Sequence, residues 1–378
     1  MTLRDGPPES AQPSSLGEKR ICFFNTTPFW GGGEKWSLEM ALGCRAKGHR
    51  VVVVAYPGSP LLDRARAEGL DAVGFAISNL SALRPVLLWK LKRFFQDRQI
   101  ETVVFNGPID VKAGGLSARA AGVEQRVYQR GIALGVKGHW LNRYLFTKVL
   151  THIVVNSEAT KTTLLENLRE VVPAARVRVL YYGIDLDEFD QRPFTPLFER
   201  VDGEVLLGNV GRLTAQKGQD FLLEVASRLK KDGLEFRLLI AGDGELHADL
   251  TAKAHELGVQ DDVDFLGFVE DVPSFLKGID IFLLSSHWEG FGLVIAEANA
   301  AHTPVVAFDV SSNPEVIADG ETGFLVPVGD LDSFAAHVRE LIENEDLRTK
   351  MGEAARTHVE AKFQLQQSID EFERYLWG

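Results

Sequence analysis

The sequence has little cysteine and no long hydrophobic run. Its 378 residues include two cysteines, Cys22 and Cys44, too few for a disulfide framework, and we interpret both as reduced thiols in a reducing compartment. No apolar stretch approaches the roughly 18–20 residues that a membrane-spanning helix needs. Residues 1–18 contain acids and prolines but no apolar signal-peptide core, so we expect a disordered segment there and a cytoplasmic protein.

Positive charge is also scarce. The chain has 41 Lys and Arg against 53 Asp and Glu, a formal net charge of −12, which argues against general binding to nucleic acid. The glycine-rich stretches do not match the G-x-G-x-x-G dinucleotide fingerprint, and no cluster of His and Asp has the spacing of metal ligands. We therefore expect no nucleic-acid partner, no metal and no resident cofactor.

Short apolar runs alternate with helical stretches along the chain. Runs such as 20–25 and 281–284 are typical of strands buried on both faces of a parallel sheet. Their alternation with helices predicts an α/β fold with doubly wound, mostly parallel sheets. Residues 187–203 hold two prolines and many charges, which indicates a linker between domains at 19–186 and 204–364.

Residues 281–308 predict a strand, a glycine-containing loop, a helix, a turn and a second strand, and they contain two notable carboxylates. Glu297 lies in an otherwise apolar helix, where an unpaired carboxylate costs about 1–3 kcal/mol or more. It is either a core residue satisfied by a backbone amide or an arginine, or it faces a polar ligand. Glu289 precedes the sequence Gly-Phe-Gly. It is either a helix-start acid favoured by the helix dipole or a group beside a ligand that approaches the glycine backbone.

Further loops follow other predicted strands. Gly32 and Gly33 place backbone amides before a helix, which makes either an anion site or a flexible turn. Arg212 and Lys217 follow a strand and are suited to phosphate, although solvated loop cations are the commoner alternative. The remaining loop residues at this sheet edge are Gly242, Phe268 and Val269.

The loop motifs occur in a fixed order. They are V-G-R-L-T-x-x-K-G, A-G-D-G, F-L-G-F-V, E-G-F-G-L-V-I-A-E, N-P-E-V-I and G-E-T-G-F-L-V. In this order, and with the E-x7-E spacing, the chain resembles glycosyltransferase family 4, strongly over about residues 204–345 and more loosely in its N-terminal half. The resemblance implies a GT-B fold, in which two Rossmann-like domains face a cleft and the C-terminal helix, 365–378, returns to the N-terminal domain.

The resemblance also implies a role for each matched residue. Arg212 and Lys217 match ligands of the donor diphosphate, Glu297 matches the ligand of the nucleotide ribose, and Glu289 matches a contact to the donor sugar. The other matches are the amides near Phe291 and Gly292, which contact the donor sugar, and Gly32 and Gly33, which form the N-domain glycine loop near the phosphates and the acceptor.

The chain departs from the family in its N-terminal half. Many members carry histidines after the fourth strand and a His-Gly pair after the fifth, where this sequence has Asn106-Gly107 and Arg130-Gly131. A histidine contact to the donor sugar is therefore in doubt. Arg130 and Asn106 are instead candidate contacts to the phosphates or to an acidic acceptor, and the alternative for Arg130 is a structural cation.

On this resemblance we expect a metal-independent, retaining hexosyltransferase. It would move a sugar from a nucleotide-diphosphate sugar to a polysaccharide or glycolipid acceptor, of the cell-envelope or exopolysaccharide type. UDP is the favoured nucleotide because it is the one that the family uses most commonly. A sugar-nucleotide epimerase of the same fold and an inactive nucleotide-sugar binding protein remain open alternatives. The basic amphipathic stretches 87–98 and 137–148 are typical either of surface helices or of peripheral contact with the inner face of a membrane.

Overall fold

The computed structural model of the protein describes residues 17–201 and 203–378. The chain divides into two compact units: unit 1 contains the residues up to Tyr182 and the segment Leu365–Gly378, and unit 2 contains Gly183–Gln364. Of the segment 1–18 that we expect to be disordered, residues 1–16 lie outside the described residues.

The sheet of unit 1 is entirely parallel within the described residues. Its strands are β1 Arg20–Asn25, β2 Arg50–Ala55, β3 Asp71–Gly74, β4 Thr102–Phe105, β5 Gln125–Arg130, β6 His152–Val155 and β7 Val177–Val179. They lie in the order β3-β2-β1-β4-β5-β6-β7. The direction of winding reverses between β1 and β4, which are hydrogen-bonded neighbours.

Helices cover this sheet and are numbered along the chain. In unit 1 they are α1 Gly32–Ala46, α2 Pro60–Ala67, α3 Pro85–Asp97, α4 Pro108–Asp110, α5 Leu116–Ala121, α6 Trp140–Tyr144, α7 Glu158–Leu165 and the C-terminal α16 Leu365–Trp377. Single turns of 3-10 helix lie at Ser81–Leu83 and Ala174–Arg176, and π-helical turns lie at Val111–Gly115 and Leu145–Val149. Both faces of the sheet are thereby covered, so β1 is buried almost throughout.

The sheet of unit 2 has the same winding pattern. Its strands are β8 Val205–Val210, β9 Phe236–Ala241, β10 Val263–Gly267, β11 Ile281–Leu284, β12 Val305–Phe308 and β13 Gly323–Val326. All described pairs are parallel, in the order β10-β9-β8-β11-β12-β13, and the winding reverses between β8 and β11. The helices of this unit are α8 Leu186–Gln191, α9 Gln219–Lys231, α10 His247–Leu257, α11 Val272–Gly278, α12 Leu293–Ala300, α13 Asn313–Val316, α14 Leu331–Glu343 and α15 Glu345–Lys362.

The predicted doubly wound parallel sheets are confirmed, while the bounds of the predicted linker differ from the structure. The described residues of 187–203 fall inside unit 2, and α8 contains the first of them. Two of the charges that indicated a linker, Asp187 and Glu188, lie in the first turn of this short helix, and the Asp185 carboxylate before it accepts a hydrogen bond of 2.9 Å from the backbone N–H of Glu188.

The topology tells where a ligand is expected. In open parallel sheets, ligands bind beyond the carboxyl ends of the strands where the winding reverses. In unit 1 this point lies between the loops after β1 and β4, and in unit 2 between the loops after β8 and β11. Nowhere in the described ranges is a helix both long and apolar enough to cross a membrane.

Candidate functional site

An ion pair joins the loops after β8 and β11. The Lys217 Nζ donates to the Glu289 Oε1 at 2.6 Å, and the two side chains are only 16% and 9% exposed. These residues lie 72 positions apart in the sequence and meet because β8 and β11 are neighbours in the sheet. Two residues that the sequence analysis selected separately are therefore parts of one site.

Further hydrogen bonds fix the two loops against each other. The Gln216 Nε2 donates to the Trp288 carbonyl at 2.9 Å, and the His287 N–H donates to the Gln216 carbonyl at 2.8 Å. Gly218, which precedes α9, has φ +61°, and a Cβ there would lie 2.5 Å from the Ser285 carbonyl oxygen. Only glycine fits this close approach.

The loops after β9 and β10 extend the same edge. Gly242 has φ +150°, and a Cβ on it would lie 1.9 Å from the Gly211 carbonyl oxygen. The Gly242 N–H donates to the Gly267 carbonyl at 2.7 Å. The strands β8, β9 and β10 thus lead into glycines whose backbones pack directly against each other. Phe268, the next residue, is 68% exposed, and Val269 after it is half-buried.

Helix α12 begins at this edge. It follows Gly292, which has φ +75°, and its first backbone N–H groups, like those of any helix, point out of its N-terminal end. Phe291 is buried and packs edge-on against Phe363, with 5.5 Å between ring centroids. Glu297 lies within the same helix and is 7% exposed.

Arg212 lies in the loop after β8 with its side chain exposed. Its backbone carbonyl accepts hydrogen bonds from the Thr214 N–H at 2.9 Å and from the Gln219 Nε2 at 3.2 Å. These bonds fix the backbone of the loop. The structure thus groups Arg212, Lys217, Gly242, Glu289 and Gly292 on loops at one end of the unit 2 sheet.

The place where the winding of a sheet reverses is called here its winding point. At the winding point of unit 1 lie the glycine loop after β1 and Asn106 after β4. A Cβ on Gly33 would lie 2.8 Å from the Asn106 Nδ2, so the loops after β1 and β4 touch. Gly32 is exposed, while Glu34, two residues later, is buried and accepts a 3.1 Å hydrogen bond from the Asn25 Nδ2. The start of α1 is therefore held to the end of β1 by a buried polar contact.

Asp110 lies beside this loop and was not selected from the sequence. Its carboxyl group accepts from the Thr26 hydroxyl and, at 3.1 Å, from the Gly107 N–H. Burial raises the pKa of Asp110 to about 7, although these hydrogen bonds act in the opposite direction. The sequence signal that could have found it is an acid three residues after Gly107, the spacing of a helix-capping interaction.

Arg130 ends β5 and is buried, with 6% of its surface exposed. Its guanidinium donates to the Tyr128 hydroxyl at 3.3 Å and to the Leu134 carbonyl. The following residue, Gly131, is tightly packed, since a Cβ on it would lie 2.6 Å from the Tyr182 hydroxyl.

Both halves of the chain match known family models. Residues 30–188 match Glycosyltransferase Family 4, and residues 196–358 match Glycosyl transferases group 1. Together these matches span most of unit 1 and of unit 2. The chain belongs to glycosyltransferase family 4.

Several relatives of this family 4 protein have assigned activities. An alpha-D-kanosaminyltransferase of Streptomyces kanamyceticus is 30% identical over 61% of this chain, and the match spans only 61% of that protein's length. A capsular polysaccharide biosynthesis glycosyltransferase, CapM of Staphylococcus aureus, is 29% identical over 69% of this chain and 73% of its own. A GDP-mannose-dependent alpha-(1-6)-phosphatidylinositol monomannoside mannosyltransferase of Mycobacterium tuberculosis is 27% identical over 85% of this chain and 87% of its own.

Solved structures confirm the fold. Anabaena HepE, crystallised in complex with UDP, superposes with a TM-score of 0.80 over 94% of this chain and 99% of its own, at 20% identity. The predicted GT-B fold of this family 4 protein is thereby confirmed.

One polar residue of the unit 2 edge was quoted only as part of a motif. The Asn313 Nδ2 donates to the Phe308 carbonyl at 2.9 Å, while its Oδ1 lies 3.4 Å from the position of a Cβ on Gly292. Within the described chain that Oδ1 is buried and has no hydrogen-bond partner. The sequence signal that could have identified Asn313 is its place after β12, in the family 4 motif N-P-E-V-I.

Among the described residues no group of three His, Cys, Asp or Glu is placed to hold a metal ion.

Proposed function

We propose that this family 4 protein transfers a sugar from a nucleotide-diphosphate sugar to a polysaccharide or glycolipid acceptor, with retention of anomeric configuration and without a metal. The observation that carries the proposal is the Lys217–Glu289 ion pair of 2.6 Å at the winding point of unit 2. It unites the lysine and the first glutamate of the family motifs at the edge where ligands bind in such sheets.

The proposed chemistry follows from the charges at this edge. Breaking the sugar–nucleotide bond leaves negative charge on the departing diphosphate, which Arg212, Lys217 and the first amides of α12 would stabilise. A lysine ammonium has three donors, so Lys217 can hold a phosphate oxygen while one donor stays on Glu289. Glu297 would bind the ribose hydroxyls, and Glu289 would contact the donor sugar.

UDP is the proposed nucleotide. The complex of Anabaena HepE with UDP supports it, whereas the name of the mycobacterial relative specifies GDP-mannose. We therefore propose a thermal-shift screen of UDP, GDP, ADP and their sugars in EDTA. At a hundredfold excess over the dissociation constant, binding raises apparent stability by about 2.7 kcal/mol.

The screen includes two variants of unit 2. Glu297→Ala should lose the shift. Glu343→Ala, which removes an exposed acid at the end of α14, should keep it.

Incubation with the donor alone then separates the transferase from the epimerase, because an epimerase would return an altered donor. Binding without turnover across an acceptor panel would instead indicate an inactive binding protein, and NMR of a product's anomeric proton tests retention.

We also propose that unit 1 makes peripheral contact with the inner face of a membrane. Support comes from four exposed apolar residues on and before α3, which lie beside Arg84 and Lys90: Leu80, Leu83, Val86 and Trp89, exposed by 63%, 77%, 66% and 60%. Aromatic and aliphatic side chains next to cations are typical of binding at the membrane interface. Flotation with anionic vesicles tests this, and a protein that stays at the bottom of the gradient would contradict it.

A further inference from the structure

Arg130 is a buried cation with no acidic partner among the residues that the structure describes. Its side chain donates to a neutral hydroxyl, that of Tyr128, and to the Leu134 carbonyl. No carboxylate is among its partners in residues 17–201 and 203–378, and its Nε is buried without any hydrogen-bond partner. Buried charges are ordinarily paired, so an unpaired guanidinium needs an explanation.

The surroundings of Arg130 do not supply the missing negative charge. Burial raises the pKa of the Tyr128 phenol, which therefore stays protonated at neutral pH. Asp110 approaches Tyr128 from α4, but its carboxyl group is engaged by Thr26 and Gly107. The pKa of Asp110 is also raised to about 7, so its negative charge is only partly present near neutrality.

The position of Arg130 favours a ligand. It lies at the carboxyl end of β5, and β5 is the neighbour of β4 at the edge where the winding reverses. The loop that follows carries Ile132 and Leu134, both 44% exposed. An anionic group with an apolar neighbour would fit this arrangement of a cation beside exposed aliphatic side chains.

We propose that Arg130 binds a phosphate group of the acceptor. A guanidinium matches phosphate with two parallel hydrogen bonds, and an anion would compensate the buried charge. The proposal rests on the proposed transferase function and narrows its acceptor to phosphate esters, whether carried by a lipid or by a soluble sugar. It also gives a use to the arginine that stands where many family members have histidine.

The competing explanation is that Arg130 only fixes the loop through the Leu134 carbonyl. The test uses the full-length protein carrying Lys217→Ala, so that one of the proposed donor-phosphate contacts is removed and phosphate binding at the donor site is weakened. Inorganic phosphate is titrated at constant ionic strength while the thermal midpoint is measured. We expect phosphate to raise the midpoint, and adding Arg130→Gln to raise the phosphate concentration needed by roughly tenfold or more.

Two further variants serve as controls. Arg126→Gln removes another arginine of β5 that donates to backbone carbonyls, and it should keep the phosphate response. Arg130→Lys keeps the positive charge but loses the planar guanidinium with its parallel donors, so it should keep part of the phosphate response. An unchanged response in Arg130→Gln, or an equal loss in Arg126→Gln, would overturn the proposal. A lower midpoint of Arg130→Gln without phosphate, combined with an unchanged response, would establish the loop-fixing role instead.

The source of the phosphate is identified by two arms. Glucose 6-phosphate in solution and phosphatidic acid in phosphatidylcholine vesicles are compared, and a response to either that depends on Arg130 supports the proposal. Dependence in neither arm contradicts it. UDP affinity is measured on Arg130→Gln in the otherwise native chain and should be unchanged. If the native protein bound no nucleotide, the transferase function would fail while a phosphate response at Arg130 could still stand.

Discussion

The Lys217–Glu289 pair is largely buried, so each side chain depends on the other for stability. Removing one partner leaves an uncompensated charge, which costs about 3–5 kcal/mol in a fully buried pair. Because these side chains are 16% and 9% exposed, we expect Lys217→Met or Glu289→Gln alone to lower the free energy of unfolding by about 2 kcal/mol. Urea denaturation of both single variants measures this.

The double variant Lys217→Met/Glu289→Gln is the internal control for that prediction. It should be more stable than the sum of the two single effects predicts, because no unpaired charge remains. Strict additivity would mean that the pair contributes nothing beyond two independent residues. The exposed Lys231, in the last turn of α9, provides a matched Lys→Met control.

Asp110 makes the stability of unit 1 depend on pH. Its pKa in the folded protein is raised to about 7, above the unfolded value of about 4, so the folded state holds the proton more tightly. Its contribution is therefore full below about pH 4 and is lost as the pH rises through about 7. We expect native stability relative to Asp110→Asn to fall between about pH 4 and pH 8, by at most about 4 kcal/mol.

Chemical denaturation across this pH range checks the Asp110 prediction. Asp63→Asn, which removes an exposed acid in α2, controls for the loss of one carboxylate. A native protein and an Asp110→Asn variant whose stabilities change in parallel would show that Asp110 does not titrate in this range.

At the residue scale the sequence predicted which residue types lie in the loops of the site, but it did not predict which side chains contact each other. Lys217 and Glu289 were each selected from a motif, yet their contact depends on the order of the strands, which a local pattern does not contain. Asp110 was missed for a similar reason. It lies in a three-residue helical turn, and its partner Thr26 lies 84 residues earlier, so only the folded sheet brings them together.

Among the elements, the loop after β9 depends on a glycine. A methyl group on Gly242 would lie 1.9 Å from the Gly211 carbonyl oxygen, whereas Gly258, at the end of α10, also has a positive φ but open space around it. We expect Gly258→Ala to cost roughly 1–2 kcal/mol for the backbone conformation alone. Gly242→Ala should cost more and also weaken UDP binding, because it displaces the loop that carries Arg212.

Calorimetry of both glycine variants, with and without UDP, tests this contrast. Equal destabilisation would indicate that the Gly211 backbone moves aside easily. Intact UDP binding in a stable Gly242→Ala protein would remove the loop from the proposed donor site.

Helix α16 is fixed to unit 1 by a buried polar cluster. The Lys47 Nζ donates to a Glu373 carboxylate oxygen at 2.8 Å and also contacts Asp370. The His49 Nδ1 accepts from the Lys19 N–H, so its Nε2 carries the proton and donates to Glu373 at 2.6 Å. The cluster ties the C-terminal helix to the end of α1.

We expect Glu373→Gln to lower the stability of unit 1 by about 2–3 kcal/mol, less than for an isolated buried pair because Asp370 remains beside Lys47. Glu371→Gln on the same helix should have a smaller effect, since Glu371 is only half-buried. Urea denaturation compares the two. Equal effects would show that helix propensity or overall charge, and not the cluster, determines the loss.

The sequence predicted the elements better than their arrangement. The strands β1 and β11 were predicted at 20–25 and 281–284, which are the observed bounds, because runs buried on both faces are distinct from helices in length and composition. The residues 187–203 were assigned to a linker because prolines and charges are common in linkers and in surface segments alike. Distinguishing the two needs the packing of α8, which no local pattern supplies.

For the whole molecule, the two units have separate hydrophobic cores, one around Phe24 and Phe105 and the other around Leu222 and Phe308. Domains with their own cores commonly unfold as separate cooperative units. We therefore expect two calorimetric transitions in the full-length protein. UDP should raise the midpoint of the transition of unit 2, because a ligand stabilises the unit that binds it.

Glu373→Gln identifies the other transition. Its polar cluster lies wholly in unit 1, so it should lower only the transition that UDP leaves in place. If UDP moved the transition that Glu373→Gln lowers, the nucleotide would bind unit 1 and the assignment of the donor site to Lys217 and Glu289 would be wrong. A single transition shifted by both would mean that the units unfold together, and UDP affinity of the Lys217 and Glu297 variants would then have to locate the site.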